Sequence, residues 1–431
     1  MSNQVSQNIG NFDSPTESLL DSQALRNFIM MNADADLPAL RLKESLRSHD
    51  FDLDFALTQI SARRKCGRKL AKFIQHADFL FPSDIAFQQA THEEVADFHA
   101  SLIGPGKRIL DMTAGLGIDA MTFAKEGDKV TALEIDSWKC DLLRHNSKVL
   151  NLDIEVICCD SVSYLRDETG KDDFDWIYAD PARRGSDDKR LHGLADCFPD
   201  LTPHISTMLE CASGVMIKAS PLLDIQQIIR DIPAINRIIA VSWHGECKEL
   251  LLIIRRISDN KREVTGKCVL QAVNITSNGI ESFEATKHKS EENSVIISHF
   301  TEKDLEESLI NGELWLYEPN ASIMKLGCWK DIMERWPELS KADNNTHLFF
   351  SPYFIKDFPG RSIKIDRRLT RKESKTLKGR RVTVVSRNFP EEASAIRRRL
   401  DLKEGDSEFI YALRTGGTPV MLLGHVVDTN E

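Results

Sequence analysis

The segment Arg108-Ile-Leu-Asp-Met-Thr-Ala-Gly-Leu-Gly-Ile-Asp119 has the residue types of a ligand loop: an apolar run ends in a carboxylate and opens through glycines into a helical pattern. Gly115 and Gly117 let the backbone approach a guest closely, and the helix start that follows offers N–H groups. With Ala120 the spacing also fits G-x-G-x-x-A, so a dinucleotide fold has to be weighed. Asp111 speaks against it, because a carboxylate beside the loop would repel a pyrophosphate. A zwitterionic amino-acid group is the better guest, since Asp111 can meet its ammonium directly or through water. Three further acids close apolar runs: Glu134, Asp160 (followed by Ser161) and Asp180, which opens Asp180-Pro-Ala-Arg-Arg184. Glu134 lies where a carboxylate can grip a ribose diol with both oxygens. Any one of these acids could equally be a helix cap. Four on successive strand ends would all face the crevice where open α/β sheets bind ligands.

Aligning those acids requires a parallel sheet. From 107 to about 256, short apolar runs alternate with helical patterns, and strands are expected at Arg108–Leu110, Lys129–Leu133, Ile154–Cys158, Trp176–Ala179 and Gly214–Ile217. A hairpin of Arg237–Val241 with Leu250–Ile254, joined across Trp243–Cys247, closes the series. This is an α/β pattern: a doubly wound, seven-stranded, Rossmann-like sheet with an antiparallel edge. Residues 1–16 are polar and expected to fray, and 17–103 read as helical. There Thr91 and Glu94 make a capping box ahead of Val95, Phe98 and Leu102 on one face. Beyond about 260 the alternation stops, and runs at Cys268–Ile275, Ser294–Ile297, Glu313–Tyr317 and Val382–Val385 suggest small α+β modules.

In combination these motifs resemble the class I S-adenosylmethionine-dependent methyltransferases. Leu110-Asp-Met-Thr-Ala-Gly-Leu-Gly117 is similar to their first motif, Leu133-Glu134 to the ribose-binding acid and Cys159-Asp-Ser161 to the adenine-side acid. The resemblance implies S-adenosylmethionine as cofactor, held by Asp111, Thr113, Ala114, Gly115, Gly117, Glu134, Asp160 and Ser161, and a strand order of 3-2-1-4-5-7-6. Asp180, Pro181 and Arg183 fall on the catalytic fourth motif, but Ala182 replaces its second proline and Arg183 its base-stacking aromatic. Gln88-Gln-Ala-Thr91, Leu316-Tyr-Glu-Pro-Asn320, Phe358-Pro-Gly-Arg361 and Arg387-Asn-Phe-Pro390 extend the likeness to a bacterial group with a small ferredoxin-like unit and a THUMP-like domain. The implied organisation is a helical region at 1–103, a methyltransferase domain at 104–258, an α+β linker with the ferredoxin-like region at 259–355, and the THUMP-like domain at 356–431. Because THUMP domains bind RNA, the likeness implies a methyltransferase acting on tRNA or rRNA.

Asp-Pro-Ala-Arg is also similar to the turn of RNA 5-methyluridine enzymes, whose cysteine nucleophile follows the next strand. Here that stretch is Ile217-Lys-Ala-Ser-Pro221, without cysteine, which favours a nitrogen acceptor held by Asp180. From Arg361 to Arg399 fourteen Lys or Arg stand against four acids, a local net of +10 in a chain of net charge −10. That asymmetry fits a phosphate-binding surface, or else a solvated face. Arg63–Lys72 is a second basic stretch, readable as an RNA contact or as a helix packing Leu70 and Phe73 inward. The other function classes in play are a non-catalytic RNA-binding protein that keeps the cofactor pocket, and a protein or small-molecule methyltransferase.

The chain is 41% hydrophobic and 28% charged, which excludes fibrous and wholly disordered classes. Nine scattered cysteines without C-x-x-C indicate a reduced protein, and twelve dispersed histidines without H-x-x-H or H-E-x-x-H spacing argue for no metal site. No apolar run reaches the ~20 residues of a membrane span and no secretory signal opens the chain, so a cytoplasmic protein is expected.

Overall fold

The computed structural model describes residues 20–183, 193–256, 268–286 and 298–427, apart from 21, 46 and 68. The expectations for residues 1–16, Arg68, Arg184 and Ser294–Ile297, and those for the side chains of Arg183 and Arg371, lie outside the described residues. The chain divides into two compact units, residues 1–236 with 251–262, and residues 237–250 with 263–431.

The first unit is built on strands β1 (Arg108–Asp111), β2 (Lys129–Glu134), β3 (Ile154–Cys158), β4 (Phe174–Ala179) and β5 (Ala212–Ala219). β1 pairs in parallel with β2 and with β4, β2 with β3, and β4 with β5. Ile109, Leu110, Ala132, Leu133, Trp176, Ile177, Val215 and Met216 are all buried, the near-continuous apolar runs of a sheet covered on both faces. The hairpin of β6 (Arg237–Trp243) and β7 (Glu246–Arg255) turns on His244-Gly245, both with positive φ, so the turn is tighter than the expected Trp243–Cys247 connection. With β7 beside β5 the order is 3-2-1-4-5-7-6, as the resemblance implied.

Seven strands is nonetheless an undercount. In the second unit β8 (Val269–Thr276) lies parallel to β6, and β9 (Gly279–Thr286) returns antiparallel to β8, so the sheet has nine strands. The run expected at Cys268–Ile275 therefore extends the first sheet instead of opening a new module. Leu270, Ala272, Val273 and Ile275 are buried there. The Asn278-Gly279 turn was the available hairpin signal. Edge strands reached after the helix–strand alternation has stopped carry no mark of the sheet they join.

The remaining strands of the second unit are β10 (Trp315–Pro319), β11 (Ser340–Asp343), β12 (Thr346–Ser351), β13 (Gly360–Arg368), β14 (Thr383–Arg387), β15 (Glu408–Thr415) and β16 (Thr418–Val426). They form one sheet in the order 11-12-10-13-16-15-14, antiparallel except for β14 with β15. β10 and β13, from either side of the expected boundary near 355, are direct neighbours. Gly360 permits this pairing, because a Cβ there would lie 2.2 Å from the Glu318 carbonyl oxygen.

The N-terminal helices are capped by Ser22, Asp36 and Asp52, whose side chains accept from the N–H groups of Leu25, Ala39 and Phe55. Leu25, Ile29, Leu40, Ala56, Leu57 and Ile60 form their core. The basic stretch at Arg63–Lys72 serves this architecture. Arg63 donates to the carbonyls of Ile74, His76, Ala77 and Phe79, Arg64 to those around Ala33, and Lys69 to those of Phe87 and Gln88. Lys72 pairs with Asp97 at 2.5 Å, while Leu70 and Phe73 are buried as the packing alternative required.

Candidate active site

The loop after β1 is held by its own carboxylates. Asp111 Oδ1 accepts the Thr113 N–H at 3.0 Å. Glu134 at the end of β2 accepts the N–H of Gly115 on Oε2 at 3.0 Å and that of Asp136 on Oε1 at 2.9 Å, tying loop and strand end together. Gly115 (φ +57°) and Gly117 (φ +82°) are left-handed, and a Cβ on Gly117 would sit 2.2 Å from Leu143 Cδ1. A Cβ on Gly115 would meet nothing nearer than the Thr113 carbonyl oxygen at 3.9 Å, so the turn is open there. Ala114 is buried, and its N–H donates to the Leu133 carbonyl at 2.9 Å. Asp160 caps the helix Ser161–Asp167 by accepting the Ser163 N–H at 2.8 Å, and Ser161 is buried. The capping role that any such acid could take is thus present at Asp160.

Asp180 follows β4 and is fixed at two points. Its N–H donates to Thr113 Oγ1 at 2.6 Å, and its Oδ2 accepts from Lys218 Nζ at 2.5 Å. Pro181 is buried, and Ala182–Arg183 forms a two-residue ribbon with Cys197–Phe198. Lys218, on β5, also donates to Thr91 Oγ1 at 3.2 Å; Thr91 donates to Asp119 Oδ2 at 2.6 Å, and His99 Nδ1 lies 2.8 Å from Asp119 Oδ1. Thr91 therefore does not form the expected capping box. His92 is the N-cap of the helix Glu93–Ile103, and the Thr91 hydroxyl is spent on the buried ion network. Lys218, Asp119 and His99 were missed as site residues. A lysine inside the apolar end of β5 was the signal available for the first of them.

The electrostatics follow from burial. Asp111 is pushed well above the usual carboxylate range, first by burial and then by the charges of Asp119, Asp180 and Glu134, against the single Thr113 N–H. Asp119 is equally buried, but the hydrogen bond and charge of His99, the Lys218 charge and the Thr91 hydroxyl outweigh the desolvation and hold it below the ordinary value. Together an open left-handed glycine turn, a doubly anchored acid on β2 and a cluster of negative charge fit a nucleoside bearing a cationic amino-acid tail. Among the described residues no cluster of His, Cys, Asp or Glu could hold a metal ion. No described helix is long and apolar enough to cross a membrane.

Among the described residues, half of the fourteen cations in the basic segment are ion-paired, mostly with acids from outside it. Glu318 accepts from Arg361 at 3.2 Å, Arg387 at 3.1 Å and the Tyr411 hydroxyl at 2.8 Å. Arg368 pairs with Glu302, Lys378 with Asp401, Arg380 with Glu408, Arg397 with Glu404, and Arg399 with Glu391. Arg367, Lys372, Lys375, Arg381 and Arg398 are exposed.

Residues 106–205 match the family model of RNA cap guanine-N2 methyltransferases, 315–359 a ferredoxin-like domain and 361–425 a THUMP domain-like model. No curated protein matches the chain. A provisionally assigned methyltransferase of Porphyromonas gingivalis W83 shares the fold over 94% of this chain and 98% of its own, at 24% identity and a TM-score of 0.77. The 16S rRNA N2 G1207 methyltransferase of Thermus thermophilus, solved with AdoMet and guanosine, aligns over 39% of this chain and 44% of its own at 14% identity and a TM-score of 0.30. The methyltransferase match spans β1 to β4 and the loop that carries Asp180, and the two C-terminal matches follow in order. In this order the chain resembles an S-adenosylmethionine-dependent methyltransferase domain followed by a ferredoxin-like and a THUMP-like domain.

Proposed function

We propose that this methyltransferase modifies a base nitrogen of tRNA or rRNA, with Asp180 as the residue that holds the acceptor. The observation that carries the reading is the double fixation of Asp180, through its N–H to Thr113 and through its carboxylate to Lys218, beside the glycine turn and Glu134. Asp111, Thr113–Gly115, Gly117 and Glu134 would hold S-adenosylmethionine, with Asp160 and Ser161 on the adenine side. When bound, it supplies an electrophilic methyl group, so the protein's task is chiefly alignment. Asp180 accepts a hydrogen bond from the acceptor N–H and takes up its proton, and Pro181 shapes the turn that presents the carboxylate.

A cysteine attack on a base carbon lacks support. The stretch after β5 has none, Cys197 beside Arg183 is buried, and burial pushes the Cys140 thiol up to about 12. RNA as the substrate class is supported by the THUMP-like match and by the RNA-directed family that 106–205 resembles. The ion pairing of half of the basic segment's cations favours a second reading, a methyltransferase of proteins or small molecules. Nucleoside mass spectrometry of tRNA and rRNA from cells lacking the gene separates the two. The RNA reading expects one methylated nucleoside to disappear and to return with the wild-type gene but not with Asp180→Ala. Unchanged nucleosides, with methyl transfer into the protein fraction, would reject it.

A further inference from the structure

We infer that Lys218 is a positioning residue for Asp180, fixing the carboxylate in place of the second proline and aromatic ring that the Asp180-Pro-Ala-Arg turn lacks. The inference rests on the reading of Asp180 as the residue that holds the acceptor.

Ala182 and Arg183 leave the turn after Asp180-Pro181 without a rigid ring on its far side. A carboxylate at the end of a strand, with two free side-chain torsions, would then sample several orientations. Lys218 reaches it from the adjacent strand, with Nζ 2.5 Å from Asp180 Oδ2. Only 13% of the Lys218 side chain is exposed, against 35% for Asp180. The ammonium is thus nearly buried, whereas the carboxylate it binds still reaches solvent.

A flexible lysine makes a poor clamp unless it is itself held. Here Thr91 Oγ1 accepts from Nζ at 3.2 Å, and that hydroxyl is oriented by donating to Asp119 at 2.6 Å. Asp119 is locked in turn by His99, which is fully buried. The helix Glu93–Ile103, the segment before it and the helix Ile118–Lys125 thereby fix one atom of β5. A protonated lysine cannot take a proton from Asp180, so its contribution is orientation and charge. Among the described residues, the groups bearing on Asp180 include Lys218 from β5, Asp111 from β1 and the Thr113 hydroxyl, with Asp119 and His99 one contact further away.

The test reads Asp180 without relying on turnover. Full-length protein labelled with carbon-13 at aspartate carboxyls is titrated by NMR, the Asp180 signal being assigned by its loss in Asp180→Asn. In Lys218→Met the Asp180 midpoint is expected to rise by about 1–3 pH units, since an ammonium in contact favours the ionised form. Lys218→Arg should keep most of the wild-type midpoint, and Thr91→Val should fall between. A midpoint in folded Lys218→Met equal to that of wild type overturns the inference. If Lys218→Met does not fold, the Thr91→Val midpoint decides on the same terms. Methyl transfer to RNA from cells lacking the gene supplies the kinetic arm. There Lys218→Met should lower kcat by about 10–100-fold with KM for S-adenosylmethionine within threefold, and Lys218→Arg should recover part of it. Equal loss in kcat and thermal stability, with no recovery by arginine, would make Lys218 merely structural. If wild-type protein methylates none of this RNA, the RNA reading fails, whereas the NMR midpoint still decides for or against Lys218.

Discussion

The crevice at the ends of β1, β2 and β4 gathers Asp111, Asp119, Glu134 and Asp180 with Lys218 and His99, whereas the C-terminal sheet sets Arg361, Arg387 and the Tyr411 hydroxyl on the one carboxylate of Glu318. Both clusters combine acids and bases drawn from separate strands, yet their balances differ. In the crevice, burial first and then the charges of Asp119, Asp180 and Glu134 drive Asp111 upward. At Glu318 both oxygens are occupied by guanidinium groups that remain nearly half exposed and hydrated. Uncompensated buried charge costs stability and is kept where a cationic ligand would complete it. Compensated charge cross-links strands, here β10, β13, β14 and β15. The motifs around Leu316–Asn320, Phe358–Arg361 and Arg387–Pro390 meet at that cross-link, while the motif ending in Thr91 meets the crevice.

Substitutions across the two clusters should separate cleanly. Asp180→Ala should lower turnover by about 10²–10⁴-fold while leaving S-adenosylhomocysteine affinity nearly unchanged. Turnover above a tenth of wild type would place the acceptor elsewhere. Glu318→Ala should do the reverse, costing about 2–3 kcal/mol in urea unfolding because two guanidinium groups lose their counter-charge, with cofactor affinity intact. The low end applies, since both arginines keep water contact.

Asp111→Asn should produce a smaller effect of opposite sign. The folded pKa of Asp111 lies above its unfolded value, so protonation favours the folded state. Its contribution is therefore greatest at low pH and is lost as pH rises through the unfolded value toward the folded one. Without cofactor, the variant should melt about 2–4 °C above wild type at pH 8, with the gap closing near pH 4. It should bind S-adenosylmethionine more weakly. A variant less stable than wild type at pH 8 would show that the carboxylate is compensated after all.

The smallest effect concerns the helix Ala393–Leu400. On the proposed RNA reading, neutralising Arg397, Arg398 and Arg399 together would flatten the salt dependence of RNA binding by about three phosphate contacts if all three were free. With Arg397 on Glu404 and Arg399 on Glu391, the expected change is about one. Filter binding across a salt series measures the slope, and no change at all would make this helix a solvated face.

Local sequence determined the parallel core and the loop chemistry. The apolar runs mark β1–β5 within a few residues, because the central strands β1, β2, β4 and β5 are buried on both faces and must be nearly continuously apolar, while β3 at the edge follows the same strand–helix alternation. Gly115 and Gly117 were legible for a similar reason: a left-handed turn is fixed by neighbours in the chain, whereas the tie from Glu134 to the Gly115 N–H joins the end of β2 to the loop after β1. Tertiary structure alone decided which charges meet. Thr91 reads as a helix cap until Lys218, far along the chain, is brought to its hydroxyl, and Arg361 reads as a phosphate contact until Glu318 is placed opposite. The strands β8 and β9 likewise joined the first sheet by long-range pairing. Spacing records what the backbone does within a few turns, whereas an ion pair or an edge strand depends on which surfaces folding buries together.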